Sequence, residues 1–219
     1  MKQAMRERLR RCPERMVLGP NEKRQRLVDV EDGPTEPGPT TVESLTPMGD
    51  STTPKTLTES EPTTFECAKP MPLGTEDGTI PDERFSASSS YPSTCCPAKA
   101  ARLNGNLRWA PATDPDSWIE VDLGESTVVS GVITQGDTYS NLFYVTNYKV
   151  AYQKQPSSDL LHVTDGNGNI KMFTANTDNT TPVTNLFDEN VLATVVRIEP
   201  IAWSGGVRLR LELLGCRRD

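Results

Sequence analysis

Ser117-Trp-Ile-Glu-Val-Asp-Leu-Gly-Glu-Ser-Thr-Val-Val-Ser-Gly-Val-Ile-Thr-Gln-Gly136 is the stretch that decides the fold. Ile119, Val121 and Leu123 share one parity, and Trp118, Glu120 and Asp122 share the other. A period of two is the mark of a strand with one buried face. Gly124 is expected to end that strand, Glu125-Ser-Thr to turn, and Val128 to Ile133 to open a second β-branched run.

The pattern recurs downstream. Tyr144 to Tyr152 reads as a strand, with Val145, Asn147 and Lys149 opposite Tyr144, Thr146, Tyr148, Val150 and Tyr152. Ala193 to Ile201 alternates again. Val207, Leu209, Leu211 and Leu213 form the cleanest alternation, with Arg208, Arg210 and Glu212 between them. Short strands, frequent turns and few helical patterns predict an all-β sandwich or barrel.

Before this region the chain has another character. Residues 1–29 form a basic head, expected to be disordered; residues 1–26 hold nine Lys/Arg against three Glu. Residues 30–66 contain ten Thr and six Pro, a composition that builds a spacer rather than a core. The folded domain is expected at 67–216, leaving 217–219 as a tail. Residues 67–216 carry eleven Lys/Arg against seventeen Asp/Glu, which argues against a nucleic-acid partner. No run is long enough to span a bilayer, and no apolar segment follows the basic start, so no signal peptide is read. The domain is therefore intracellular or a piece of an extracellular protein.

At this point the residues resemble a known family, the discoidin domain or coagulation factor V/VIII type C domain. The matching pieces come in order. They are Cys67, Pro72-Leu-Gly, Gly78-Thr-Ile-Pro-Asp, Ala87-Ser-Ser, Ala101-Arg-Leu-Asn, Trp109 and Trp118-Ile-Glu-Val-Asp-Leu-Gly. Then follow Val132-Ile-Thr-Gln-Gly, Val145-Thr-Asn-Tyr-Lys-Val, Phe173-Thr-Ala-Asn-Thr-Asp-Asn, Thr181-Pro-Val, Val196-Arg-Ile-Glu-Pro and Leu209-Arg-Leu-Glu-Leu-Leu-Gly-Cys. The resemblance implies an eight-stranded distorted jelly-roll barrel or sandwich of the galactose-binding-like type. It implies termini stapled by Cys67 and Cys216, and three projecting loops that bind lipid, sugar or protein. Two departures argue against lipid insertion: Tyr144 stands where the family usually has Trp, and the first loop carries Cys95-Cys96 in place of an exposed Trp pair.

A Cys67–Cys216 bridge closes a loop of about 150 residues, worth about 5 kcal/mol in the chain-entropy account. It also indicates an oxidising compartment, so the extracellular reading is preferred. Cys95 and Cys96 are adjacent; they bridge to each other, bridge between chains or stay free. Cys12 is left over. Asn179-Thr-Thr181 has the glycosylation acceptor pattern.

The binding candidates lie on the loops: Tyr91, Ser93, Thr94 and Lys99 on the first, Arg108 on the second, and Tyr139, Leu142 and Phe143 on the third. Exposing the last three costs about 1.5–3 kcal/mol each unless they are used or fold back. Asp122 and Arg210 are expected to have structural roles, as an ion pair or on a solvated face. His162 is the sole histidine and has no nucleophile motif around it, so no enzyme, catalytic residue or cofactor is expected. Asp165-Gly-Asn-Gly-Asn169 lacks the Gly and Glu of a calcium hand, so it reads as a turn and no metal is assigned. The expectation is an extracellular binding module for a cell-surface or matrix protein or glycan. A phospholipid surface or a calcium-dependent lectin is the alternative.

Overall fold

The computed structural model describes residues 66–217. The expectations for residues 1–65, including Cys12, lie outside them. Eight strands occur among the described residues: β1 (Met71–Pro72), β2 (Phe85–Ala87), β3 (Ile119–Gln135), β4 (Tyr144–Gln153), β5 (Leu161–His162), β6 (Phe173–Thr174), β7 (Val183–Ser204) and β8 (Arg210–Cys216). All pair antiparallel, in the order β1-β8-β3-β7-β4-β5, with β2 added to β3 and β6 to β4.

The two long strands build the sandwich. β3 pairs with β7 along most of its length, Ile119 opposite Ile198 and Thr134 opposite Val183. On its other side, β2 covers Ile119–Val121 and β8 covers Val128–Gln135. β3 and β7 thus run from one layer into the other. The front layer continues through β4 to β5 and β6; the back layer holds β8 and β1.

Here the sequence expectation needs correcting. Gly124 does not end the strand: the β3–β7 ladder resumes at Thr127 after a register shift from Asp122. Gly124 takes φ +80°, and a Cβ there would lie 2.8 Å from Arg84 Nη1. A bulge of this kind lets a strand turn a corner without giving up its partner. β4 differs too. Shifts between Val145 and Asn147, and between Asn147 and Tyr148, bring Val145, Tyr148 and Val150 into the interior together.

Ile119, Val121 and Leu123 are buried as their parity predicts, in one cluster with Trp109, Val129, Val132, Tyr148, Leu209, Leu211 and Leu213. Tyr148 stacks on Phe173 at 5.3 Å. The second face of β8 is not solvated: Arg208, Arg210 and Glu212 are all buried. Residues 74–76 cover it, their N–H groups donating to the Glu212 carboxylate, while Leu73 and Leu103 pair along the strand edge, their N–H groups donating to Leu213 O and Leu211 O. Asp122 and Arg210 do not pair with each other; Asp122 accepts from Arg84 Nη1 at 2.8 Å.

The disulfide Cys67–Cys216 joins the ends of the domain, with 5.7 Å between Cα atoms. Cys216 lies opposite Val128, whereas Arg210, at the other end of β8, lies opposite Gln135 at the root of the third loop. The staple is therefore at the far end of the ladder from that loop.

Candidate functional site

Four segments meet at the loop end: residues 91–97, 104–116, 137–143 and the β7–β8 turn at 205–207. Backbone bonds zip the first to the second. Tyr91 N–H donates to Ala110 O, Arg108 N–H to Cys95 O and Ala110 N–H to Cys96 O. A disulfide links Cys95 to Cys96. Both are buried with Ala110, under the partly buried Tyr91 and Leu107.

The third loop is organised by Asp137, which is 2 % exposed. Its Oδ1 accepts from the N–H of Thr138 at 2.6 Å and of Tyr139 at 3.1 Å, turning the chain back on itself. The same oxygen lies 3.1 Å from Nε of buried Arg108. Arg108 also reaches over the Tyr139 ring at 5.6 Å. The Arg108 guanidinium thus lies beneath the tip, bracing it. An ion pair removed from water in this way fixes geometry strongly, because losing either partner strands the other.

Arg208 plays a parallel part under Phe143, 5.0 Å from the ring centre. Burial, and next the nearby charge of Arg108, pull its pKa down. Phe143 folds back against Gly205, whose φ is +65°. A Cβ on Gly205 would come within 2.6 Å of Leu142 O. Tyr139 and Leu142 remain outside, 54 % and 60 % exposed. Asp114 of the second loop accepts from Val207 N–H at 3.1 Å, tying that loop to the turn.

The other predicted residues divide. Tyr91 and Ser93 are half-buried and Thr94 is exposed on the first loop. Lys99 is not brought to the tip: it begins the return toward β2 and pairs with Asp82 at 3.0 Å. Asn179 is half-buried below the third loop, its Nδ2 donating to Asp137 O at 3.1 Å. His162 bonds Glu199 at 3.0 Å. Asp165 caps its own turn, accepting from the N–H of Asn167 and Asn169, both at 2.9 Å. Among the described residues no three His, Cys, Asp or Glu side chains converge as a metal site would require. No described helix is long and apolar enough to cross a membrane.

The comparison with known families decides the kinship: the F5/8 type C domain matches residues 84–213. This chain belongs to that family. It is 38 % identical over 155 residues to mouse lactadherin, covering 66 % of this chain and 33 % of that protein. It is 37 % identical over 158 residues to human neuropilin-2, covering 70 % of this chain and 16 % of the other. The chain thus spans a third or less of these two relatives. Recombinant discoidin II of Dictyostelium discoideum shares the fold, with TM-score 0.54 and 22 % identity over 62 % of this chain and 56 % of that one.

Within this F5/8 type C domain, sequence reasoning passed over Asp114, Asp137, Arg208 and Gly205 as individual residues. Some signal was there. Arginines alternating with core leucines on a strand call for buried acceptors, and a Gly-Gly step between strands marks a close approach.

Proposed function

We propose that this F5/8 type C domain is a non-enzymatic, extracellular binding module. Its loop end grips a cell-surface or matrix protein or glycan. The observation that carries this reading is that Tyr139 and Leu142 are both exposed on a tip that the Arg108–Asp137 pair braces. Large side chains kept in water on a preorganised base are suited to serve as binding anchors. An aromatic with a polar handle suits protein and sugar surfaces. The two disulfides favour an oxidising, extracellular setting.

Exposed Leu142 also supports a second reading, docking on a phospholipid surface. The acidic balance of the domain weighs against it, since anionic headgroups attract basic proteins.

Cell binding by flow cytometry separates the two. The fluorescently labelled chain is compared with the Tyr139→Ser, Leu142→Ser double variant, on intact cells, on protease- or glycosidase-treated cells, and on phosphatidylserine vesicles. The proposal expects binding that is lost in the variant and after enzymatic treatment, with none on vesicles. Equal binding to protein-free vesicles transfers the site to lipid. Binding that the double variant retains overturns the loop-tip assignment.

A further inference from the structure

The outer face of the front layer carries a groove of about 460 Å³ that starts at the end of the second loop, Pro115 and Asp116, and includes no residue of the third. Its walls include Trp118, which leads into β3, and Trp203 near the end of β7. Lys149 of β4 and Glu199 of β7 lie between them, with Asp116 and Ile201 at the margin. Its volume lies within the roughly 300–1,000 Å³ usual for small-molecule sites. Both indoles are only partly buried, Trp118 with the Arg197 guanidinium 4.1 Å over its ring and Trp203 packed by part of its surface against the core, and Ile201 is exposed.

The charges restrict the occupant. Lys149 Nζ and Glu199 Oε2 are 3.2 Å apart, and His162 Nε2 reaches the same oxygen at 3.0 Å. Glu199 and Asp116 oppose an anion, while the Lys149 ammonium opposes a cation. A neutral ligand with hydroxyl groups meets neither penalty, since a hydroxyl both donates and accepts. Strand addition by a peptide is closed off. β7 is already bonded to β3 and β4, and β4 to β7 and β5 or β6, so no free backbone edge faces the groove.

We propose that this groove is a second ligand site and takes a neutral saccharide, a sugar ring seated between Trp118 and Trp203 with adjacent hydroxyls bridging Lys149 and Glu199. The carboxylate accepts one hydroxyl proton and the ammonium donates to the neighbouring oxygen. This site goes beyond the loop-tip function and stands or falls separately from it.

The chain's three tryptophans supply the test. Trp109 is fully buried, with Nε1 donating to Ser89 O at 2.9 Å, and serves as the internal reference. The full chain, labelled with nitrogen-15, is titrated with the methyl glycosides of galactose, mannose, glucose and N-acetylglucosamine to tens of millimolar. At least one is expected to shift the Trp118 and Trp203 indole signals saturably and leave Trp109 in place. Glu199→Gln and Lys149→Met should each weaken that response about tenfold, the scale of one lost charged hydrogen bond. Ile201→Arg should block it without touching the core, and Tyr139→Ser with Leu142→Ser should leave it intact. No saturable shift with any glycoside overturns the proposal. So does a shift that survives Ile201→Arg, or one that disappears in the loop-three variant.

Discussion

Arg210 Nε donates to the carbonyl of Gly136 at 2.8 Å, inside the domain, where the third loop leaves β3. The same guanidinium reaches Gly105 O and Asn179 O, both at 3.2 Å. One planar group therefore sets the spacing of three chain segments under the loop end, a task suited to its fixed fork of donors.

Replacing Arg210 by Met keeps the aliphatic stem and leaves one buried and two partly buried carbonyls short of a donor. The expected loss is about 3 kcal/mol, from roughly 1–3 kcal/mol per unsatisfied group with partial relaxation. That lowers the melting temperature by roughly 6–12 °C for a domain of this size. Calorimetry of the two chains checks it, and a melting temperature within a degree or two of wild type would refute the bracing role.

Glu212, two residues along on the same face of β8, is the matching device. Its Oε1 accepts from the N–H of Gly74, Thr75 and Leu213, and its Oε2 from Glu76 at 2.9 Å. Glu212→Gln turns one acceptor into a donor facing backbone N–H, and should cost about 2–3 kcal/mol. Urea unfolding gives the number. Faster hydrogen exchange at residues 74–76 should accompany it.

Loop three should behave in the opposite way. Tyr139→Ser and Leu142→Ser remove side chains already in water, so stability should stay within about 0.5 kcal/mol while ligand binding falls. Gly205→Ala should do the reverse for the local fold: it forces a side chain into a left-handed backbone and against Leu142 O, displacing the tip. Chemical-shift changes confined to 137–143 and 203–207 would confirm the second. Unaltered spectra would count against it.

The pH response follows from carboxylates that cap turns. Asp165 is held below the usual carboxylate range by the N–H groups of Asn169 and Asn167, Asp178 by Thr181 and Thr180, and Asp77 by Thr79. Burial raises the Glu199 pKa, but His162 and Lys149 more than reverse it. All are depressed in the folded state. Their stabilisation is therefore present above the unfolded values of about 3.9 for Asp and 4.3 for Glu, and fades as pH falls through the folded ones. Urea midpoints should be level between pH 5 and pH 7, by this reasoning, and decline below about pH 4. A midpoint that rises on acidification would contradict the assignment.

What the sequence made legible is local. The alternation of Ile119, Val121 and Leu123 carries its own periodicity, and so does that of the β8 leucines. The ordered family motifs supplied the sandwich and its staple. The bulge at Gly124 and the β4 shifts were less readable, because a register break depends on what the partner strand does. Arg108, Arg210 and Glu212 were hardest. Their partners are carbonyls, N–H groups or a carboxylate far along the chain, and such pairing leaves no trace in local spacing. The lateral groove joins residues of three separate elements, so its two indoles are distant in sequence.

The Cys67–Cys216 bond has a mechanical meaning as well. Tension applied to the chain on either side of these residues passes through one covalent cross-link and never reaches the ladders between them. Where tissue or flow pulls on a tethered protein, the strands inside would stay unloaded. On the proposed function, the contact made at the opposite pole would then give way by releasing its ligand, while the domain itself stays folded.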